Sequence, residues 1–255
     1  MAGEVLAEFR DDGVTVITMN RPTARNALDR ALSEGVAQAL DELDSRGDQA
    51  VGILTGAGGT FCSGMDLKAF LRGESPVLEG RGLAGITQAP PRKPVIAAVE
   101  GYALAGGCEI ALACDLVVAA EDAEFGIPEV KRGLVAAAGG LLRLPQRIPY
   151  AVAMELALTG GFLDAGRAHA YGLVNRLAKP GRALQQALVL AGEIAANGPL
   201  AVRVSKQVVA EAAGWDPETV WQRMNEVTAP VFASADAQEG PLAFAEKRPP
   251  RWTGR

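Results

Sequence analysis

The sequence predicts an α/β fold: a largely parallel sheet covered by helices, followed by a helical final third. Three observations carry this. Apolar runs of strand length recur at 14–19, 51–55, 95–99 and 116–119. An amphipathic helix lies between the first two of these runs, and strand-helix-strand is the unit from which parallel, helix-covered sheets are built. Beyond residue 180, the apolar residues switch to helical spacing.

Taken in order, residues 5–9 and 14–19 are apolar or alternating around Asp11-Asp12-Gly13, the pattern of a hairpin with a tight turn. Asn20-Arg21-Pro22 breaks the second strand. Leu28, Leu32, Val36, Leu40 and Leu43 then mark a helix running to about Arg46. After the strand at 51–55 comes Gly56-Ala57-Gly58-Gly59, which is not a nucleotide loop. No Gly-Lys-Ser/Thr follows, and Phe61 stands where a dinucleotide turn needs its third glycine. Residues 72–94 are rich in Gly and Pro and are expected to form a mobile surface segment. Helices are expected at 141–145 and 151–158 and a short strand at 174–177. Further helices follow on the stripes Leu184, Leu188, Ala191, Ala195 and Val220, Met224, Val227, Val231, with another starting at Pro199. The tail is expected to end in a short helix closed by Pro249-Pro250. No linker or internal repeat separates the helical third. Its stripes have two possible uses, intrachain core or contact with neighbouring subunits.

Composition narrows the function. The chain has 255 residues, 49% hydrophobic and 22% charged, with a net charge of −5. That acidic balance, with no Arg/Lys cluster interleaved with aromatics, predicts no nucleic-acid partner. No apolar run approaches the roughly 20 residues that span a bilayer, and the acidic start does not resemble a targeting peptide. A cytoplasmic protein without a membrane partner is expected. Cys62, Cys108 and Cys114 are expected to be reduced core thiols. With His169 as the single histidine, neither a zinc site nor a Ser-His-Asp or Cys-His hydrolase is expected. Carboxylates and backbone amides remain as the catalytic tools.

Both are concentrated between Val95 and Gly140. A strand at 95–99 leads into a turn containing Gly101, Gly106 and Gly107, and then into a helix of small residues from Glu109 to Cys114. A helix start offers amides that lack an intrahelical partner, suited to an oxygen gaining negative charge. Glu109 lies in the first turn, and Glu129, in Gly126-Ile127-Pro128-Glu129, follows beyond the strand at 116–119. Two carboxylates could thus converge on one pocket. Each also has a plainer use: Glu109 complementing a helix dipole, Glu129 pairing with Lys131 or Arg132 on the surface.

At these residues the sequence resembles the enoyl-CoA hydratase/isomerase, or crotonase, family. The matching pieces are Asn20-Arg21-Pro22 with Asn26-Ala27-Leu28, the loop from Phe61 through Cys62-Ser63-Gly64-Met65-Asp66 to Lys68, Gly101 through Gly106-Gly107-Cys108-Glu109, Phe125 through Glu129, and Gly139-Gly140 with Arg143-Leu144. They occur in the family's order over nearly the whole chain. The resemblance implies a crotonase-like ββα superhelix core at 1–195 carrying the active site. It also implies a C-terminal helical subdomain at 196–255, part of the same folding unit and used for trimerisation. The implied activity is reversible addition of water to the 2,3 double bond of an acyl-CoA thioester. Glu109 and Glu129 would be acid and base, and the amides of Met65 and Gly106 an oxyanion hole. CoA is part of the substrate, and no separate cofactor is implied. Its adenine and phosphates are placed along Thr23, Arg25, Ala27, Ser63, Asp66 and Lys68, with Phe244 and Lys247 contributed to the same or a neighbouring site of a homotrimer or hexamer.

The sequence departs from the usual hydratase pattern at Glu100, at Ala105 in place of a glycine, at Val135-Ala136-Ala137-Ala138 and at Leu141-Leu142. These changes make the acyl end of the pocket more apolar. The segments at 142–145 and 239–248 resemble the carnitinyl-CoA dehydratase branch. Three alternatives therefore stand beside the hydratase: carnitinyl-CoA dehydratase (crotonobetainyl-CoA hydratase), a Δ3-Δ2-enoyl-CoA isomerase, and a non-catalytic acyl-CoA- or RNA-binding member of the fold.

Overall fold

The computed structural model describes residues 3–255. The hairpin forms as expected: β1 (Val5–Phe9) runs antiparallel to β2 (Val14–Met19). Helix α1 (Arg30–Ser45) is capped by the Asp29 side chain, which accepts from the Leu32 N–H at 2.9 Å. It leads to β3 (Val51–Gly56), which pairs parallel with β2. A short helix α2 (Leu67–Leu71) and a two-residue ladder of β4 (Val77–Leu78) with β5 (Gly82–Leu83) follow. Next come β6 (Val95–Val99), β7 (Tyr102–Leu104), α3 (Gly106–Ala113), β8 (Leu116–Ala120) and β9 (Glu124–Gly126). The chain continues through α4 (Gly140–Arg147), α5 (Tyr150–Thr159), β10 (Phe162–Asp164), α6 (Ala165–Ala170), β11 (Arg176–Ala178) and α7 (Ala183–Ala195). It ends in α8 (Pro199–Glu211), α9 (Val220–Phe232) and α10 (Ala235–Ala245).

The main sheet has the order β1-β2-β3-β6-β8-β11 and is parallel from β2 onward. Its central strands β2, β3, β6 and β8 read as continuous apolar runs because both faces are covered. On one face Val14, Val16, Ile53, Ile96, Ala98 and Val118 pack against Ala187, Leu190 and Ala191 of α7. On the other, Ile17, Met19, Leu54, Ala97, Val99, Val117 and Ala119 join the stripe of α1 and most of the remaining core. Alternate residues of one strand thus serve two cores.

A second sheet, β10-β9-β7, stands beyond the C-terminal end of β6. Its strands have three residues each, too few for an alternation to register in a sequence. The surface expectation for 72–94 is corrected in part. Leu83, Ala84, Ile86 and Thr87 are at most 4% exposed, and Leu83 N–H donates to Thr87 Oγ1 at 2.8 Å, so the segment turns inward to line the site. The strand expected at 174–177 begins at Arg176, with Val174 spent in the core. The three cysteines are free and buried, and burial pushes their thiols up to about 12. His169 lies on the exterior of α6 with Nδ1 2.8 Å from the Val174 carbonyl. Among the described residues no single helix is long and apolar enough to cross a membrane.

Candidate active site

The site grows from the junction of β7 and α3. Ala105 caps α3 with φ 52° and ψ −127°, a conformation that typically costs a side-chain-bearing residue roughly 1–3 kcal/mol. Its N–H donates to the Gly126 carbonyl at 2.8 Å, which ties the turn to β9. Alongside runs the 61–66 loop. Cys62 N–H donates to Tyr102 O at 2.9 Å, and Leu104 N–H donates to Cys62 O at 3.0 Å. Gly64 has φ 100°, and a Cβ there would stand 2.7 Å from Ala105 Cβ and 3.3 Å from Gly106 N. Only glycine fits this left-handed, crowded position. A Cβ added at Gly106 would lie 3.7 Å from Met65 N, so the Met65 and Gly106 amides are neighbours. Among the described residues neither N–H has an acceptor. For Gly106 the reason is its place at the start of a helix. Such a pair is available to an anionic oxygen.

Glu109, in the first turn of α3, is 3% exposed. Its Oε1 accepts from the N–H of Gly140, the first residue of α4, at 2.9 Å. Burial lifts the carboxyl to about 7; the Gly140 amide opposes this, and the charge of Glu129 adds to it. Glu129 follows Pro128 in a short 3-10 turn. Burial raises its pKa as well, and its Oε2 is buried without a hydrogen-bond partner among the described residues. It forms no ion pair with Lys131 or Arg132; Lys131 instead lies over the Phe162 ring at 5.6 Å.

Glu109, Glu129, Met65 and Gly106 all line one cavity of about 680 Å³. Its walls are otherwise mostly apolar: Leu67, Pro76, Val77, Leu83, Leu104, Pro128, Leu134, Val135, Ala137, Ala138 and Phe162. Arg25 and Ser63 also line it, whereas Thr23, Ala27, Asp66, Lys68, Phe244 and Lys247 do not. Asp66 is engaged within the chain, accepting from Lys68 N–H at 3.0 Å and Ala69 N–H at 3.1 Å and pairing with Arg21 at 3.1 Å. Phe244 is 87% exposed, and Lys247 lies on the exterior just past α10. Sequence reasoning did not find Leu83 or Phe162 as wall residues, nor the Gly140 amide as partner of Glu109. Gly139-Gly140 was the available signal for the last.

Two unpartnered amides beside two carboxyls, in an apolar cavity on this doubly covered sheet, define a protein able to polarise a carbonyl and move protons next to it. The chain belongs to the enoyl-CoA hydratase/isomerase family, whose profile matches residues 10–255. Its fold is that of the crotonase-type structures it resembles. A crystal structure of an enoyl-CoA hydratase from Mycobacterium tuberculosis H37Rv superposes with a TM-score of 0.97 at 62% identity over the full length of both chains. Enoyl-CoA hydratase EchA19 of M. tuberculosis is 42% identical over 94% of this chain and 93% of its own. A carnitinyl-CoA dehydratase of Proteus mirabilis is 39% identical over 95% of each.

Proposed function

We propose that this protein is a hydro-lyase that adds water reversibly across the 2,3 double bond of a 2-enoyl-CoA thioester. One observation carries it: both raised carboxyls and both free amides open into the same cavity. When water attacks C3, charge moves onto the thioester oxygen. The amides of Met65 and Gly106 receive it, each such donor being typically worth about 3 kcal/mol. Glu109 takes the proton of the attacking water, and Glu129 delivers one to C2; dehydration reverses the roles. The enzyme needs no resident cofactor, since CoA arrives with the substrate. Arg25 at the cavity rim is the cation for its phosphates.

The carnitinyl-CoA dehydratase reading is supported by the relatives of that name. Against it, the only carboxylates lining the cavity are Glu109 and Glu129, while Arg25, Lys131 and Arg132 add positive charge. A trimethylammonium group is poorly served there, and an uncharged acyl chain is favoured. Residues 196–255 form the helical subdomain on which subunits of a trimer, or a hexamer of paired trimers, meet. The support is that α8 and α9 bury no residue of their own, with Val209 83%, Trp221 77% and Phe232 77% exposed. The decisive experiment follows the loss of conjugated-thioester absorbance with crotonyl-CoA, repeated with a crotonobetainyl-CoA substrate and a 3-enoyl-CoA. Absence of hydration with every thioester supplied sinks the proposal.

A further inference from the structure

We infer that Arg21 is a positioning residue for the oxyanion-binding amide of Met65, an inference that rests on the proposed hydration chemistry. The direction of the Met65 N–H is set by its own peptide plane. In a trans peptide the carbonyl of residue 64 and the N–H of residue 65 point in opposite directions. The Gly64 carbonyl accepts from Leu28 N–H at 2.8 Å, which turns the Met65 N–H away from Leu28 and into the cavity that both Met65 and Gly106 line. On the other side of Met65, Asp66 N–H donates to the Leu28 carbonyl at 2.9 Å. Leu28 is therefore the clamp on the plane, and the clamp has to be held in place.

Arg21 holds it from both flanks. Its guanidinium donates to the Ala27 carbonyl, just before Leu28, and pairs with Asp29, just after it, at 2.9 Å. A third contact reaches Asp66 at 3.1 Å, and Nε lies 3.5 Å from Glu4. The planar fork thus spans the two strands of the bridge that carries Met65, a geometry that a lysine ammonium cannot reproduce. The Arg21 backbone N–H also donates to Asn26 Oδ1 at 2.9 Å, while Asn26 Nδ2 donates to Ala57 O at 2.9 Å and Thr60 O at 2.7 Å. Of the Arg21 and Asn26 groups, only the Arg21 guanidinium reaches Asp66. Arg21 does not line the cavity, so its effect passes through the Met65 amide and not through contact with substrate.

The test uses the full-length protein, crotonyl-CoA turnover and the absorbance shift of a chromophoric cinnamoyl-CoA thioester on binding, which reports polarisation of its carbonyl. Arg21→Lys is expected to keep KM within about threefold, to lower kcat by roughly 10- to 100-fold, and to lose most of the shift. Its circular dichroism and the pH of the acid limb should stay unchanged. Should Arg21→Lys fail to fold, Asp66→Asn decides. It keeps the α2 cap, removes the charge that Arg21 grips, and is expected to lower kcat and the shift in the same direction. A folded variant with undiminished shift and kcat overturns the inference, as does one in which KM and kcat change while the shift survives. Failure of the wild type both to turn over crotonyl-CoA and to shift the probe instead overturns the proposed function.

Discussion

The two walls of the cavity carry the same side chain under different restraint. On the α3 wall, Glu109 is 3% exposed, rooted in a helix buried in the larger core, and receives a hydrogen bond from Gly140. In another part of the lining, Glu129 stands in a 3-10 turn whose next residues, Val130 to Arg132, are exposed, and its Oε2 has no partner among the described residues. Both carboxyls are raised by burial, and the Gly140 N–H fixes one oxygen of Glu109, which suits a base whose lone pair must be aimed. The unpartnered oxygen of Glu129 suits an acid that gives up its proton. The difference teaches that two equal residues acquire unequal tasks from the backbone beneath them.

The largest expected effect breaks this pairing outright. Glu109→Gln and Glu129→Gln should each lower kcat for crotonyl-CoA roughly 1000-fold with KM within a few-fold; unchanged turnover in both refutes the assignment. If isomerisation of a 3-enoyl-CoA survives in Glu109→Gln alone, the protein is an isomerase acting through Glu129. A smaller change loosens only the α3 wall. A Cβ at Gly140 would stand 3.0 Å from Glu109 Cγ and 3.1 Å from Oε1. Gly140→Ala should therefore displace the base and lower kcat about tenfold while the protein stays folded.

Titration sharpens the comparison further. Activity of the base requires the ionised form, so kcat/KM should rise with pH through about 7, where burial holds Glu109. Removing the Glu129 charge should move that titration to lower pH, read by ¹³C chemical shift of the carboxyl in Glu129→Gln; no movement shows that the two do not share a field. The smallest effect is on stability. A folded-state carboxyl raised above its unfolded value contributes most below the ordinary glutamate range, and that contribution is lost as pH rises through about 7. Glu109→Gln, which cannot ionise and keeps an acceptor for Gly140, should be the more stable protein at pH 8, by roughly 3 kcal/mol, with little difference at pH 4. Thermal melts at the two pH values check it.

Much of the fold was legible because its signals are long. Leu32, Val36, Leu40 and Leu43 mark α1 over three turns, and Val95 to Val99 forms a buried strand as its composition suggests. Glu109 stood out as a charged residue in a helix of small apolar ones, and Glu129 through the Gly126-Ile127-Pro128-Glu129 segment that carries the family resemblance. The β10-β9-β7 sheet did not stand out, since three-residue strands hold only through partners supplied from distant parts of the chain. Nor did the inward turn of Gly82 to Thr87, where glycines that mark a surface loop elsewhere allow close approach to α1 and the site. The apolar stripes of α1 and α9 look alike in sequence, yet one buries seven residues and the other none.

The order of residues thus settles the longer helices and strands and that two glutamates are present, because these are local matters of sterics and periodicity. Which amides stay free, how deep each carboxyl lies and which protonation state it holds are decided by packing. Those quantities depend on neighbours brought together from residues 28, 65, 106, 129 and 140, and on the water their assembly excludes.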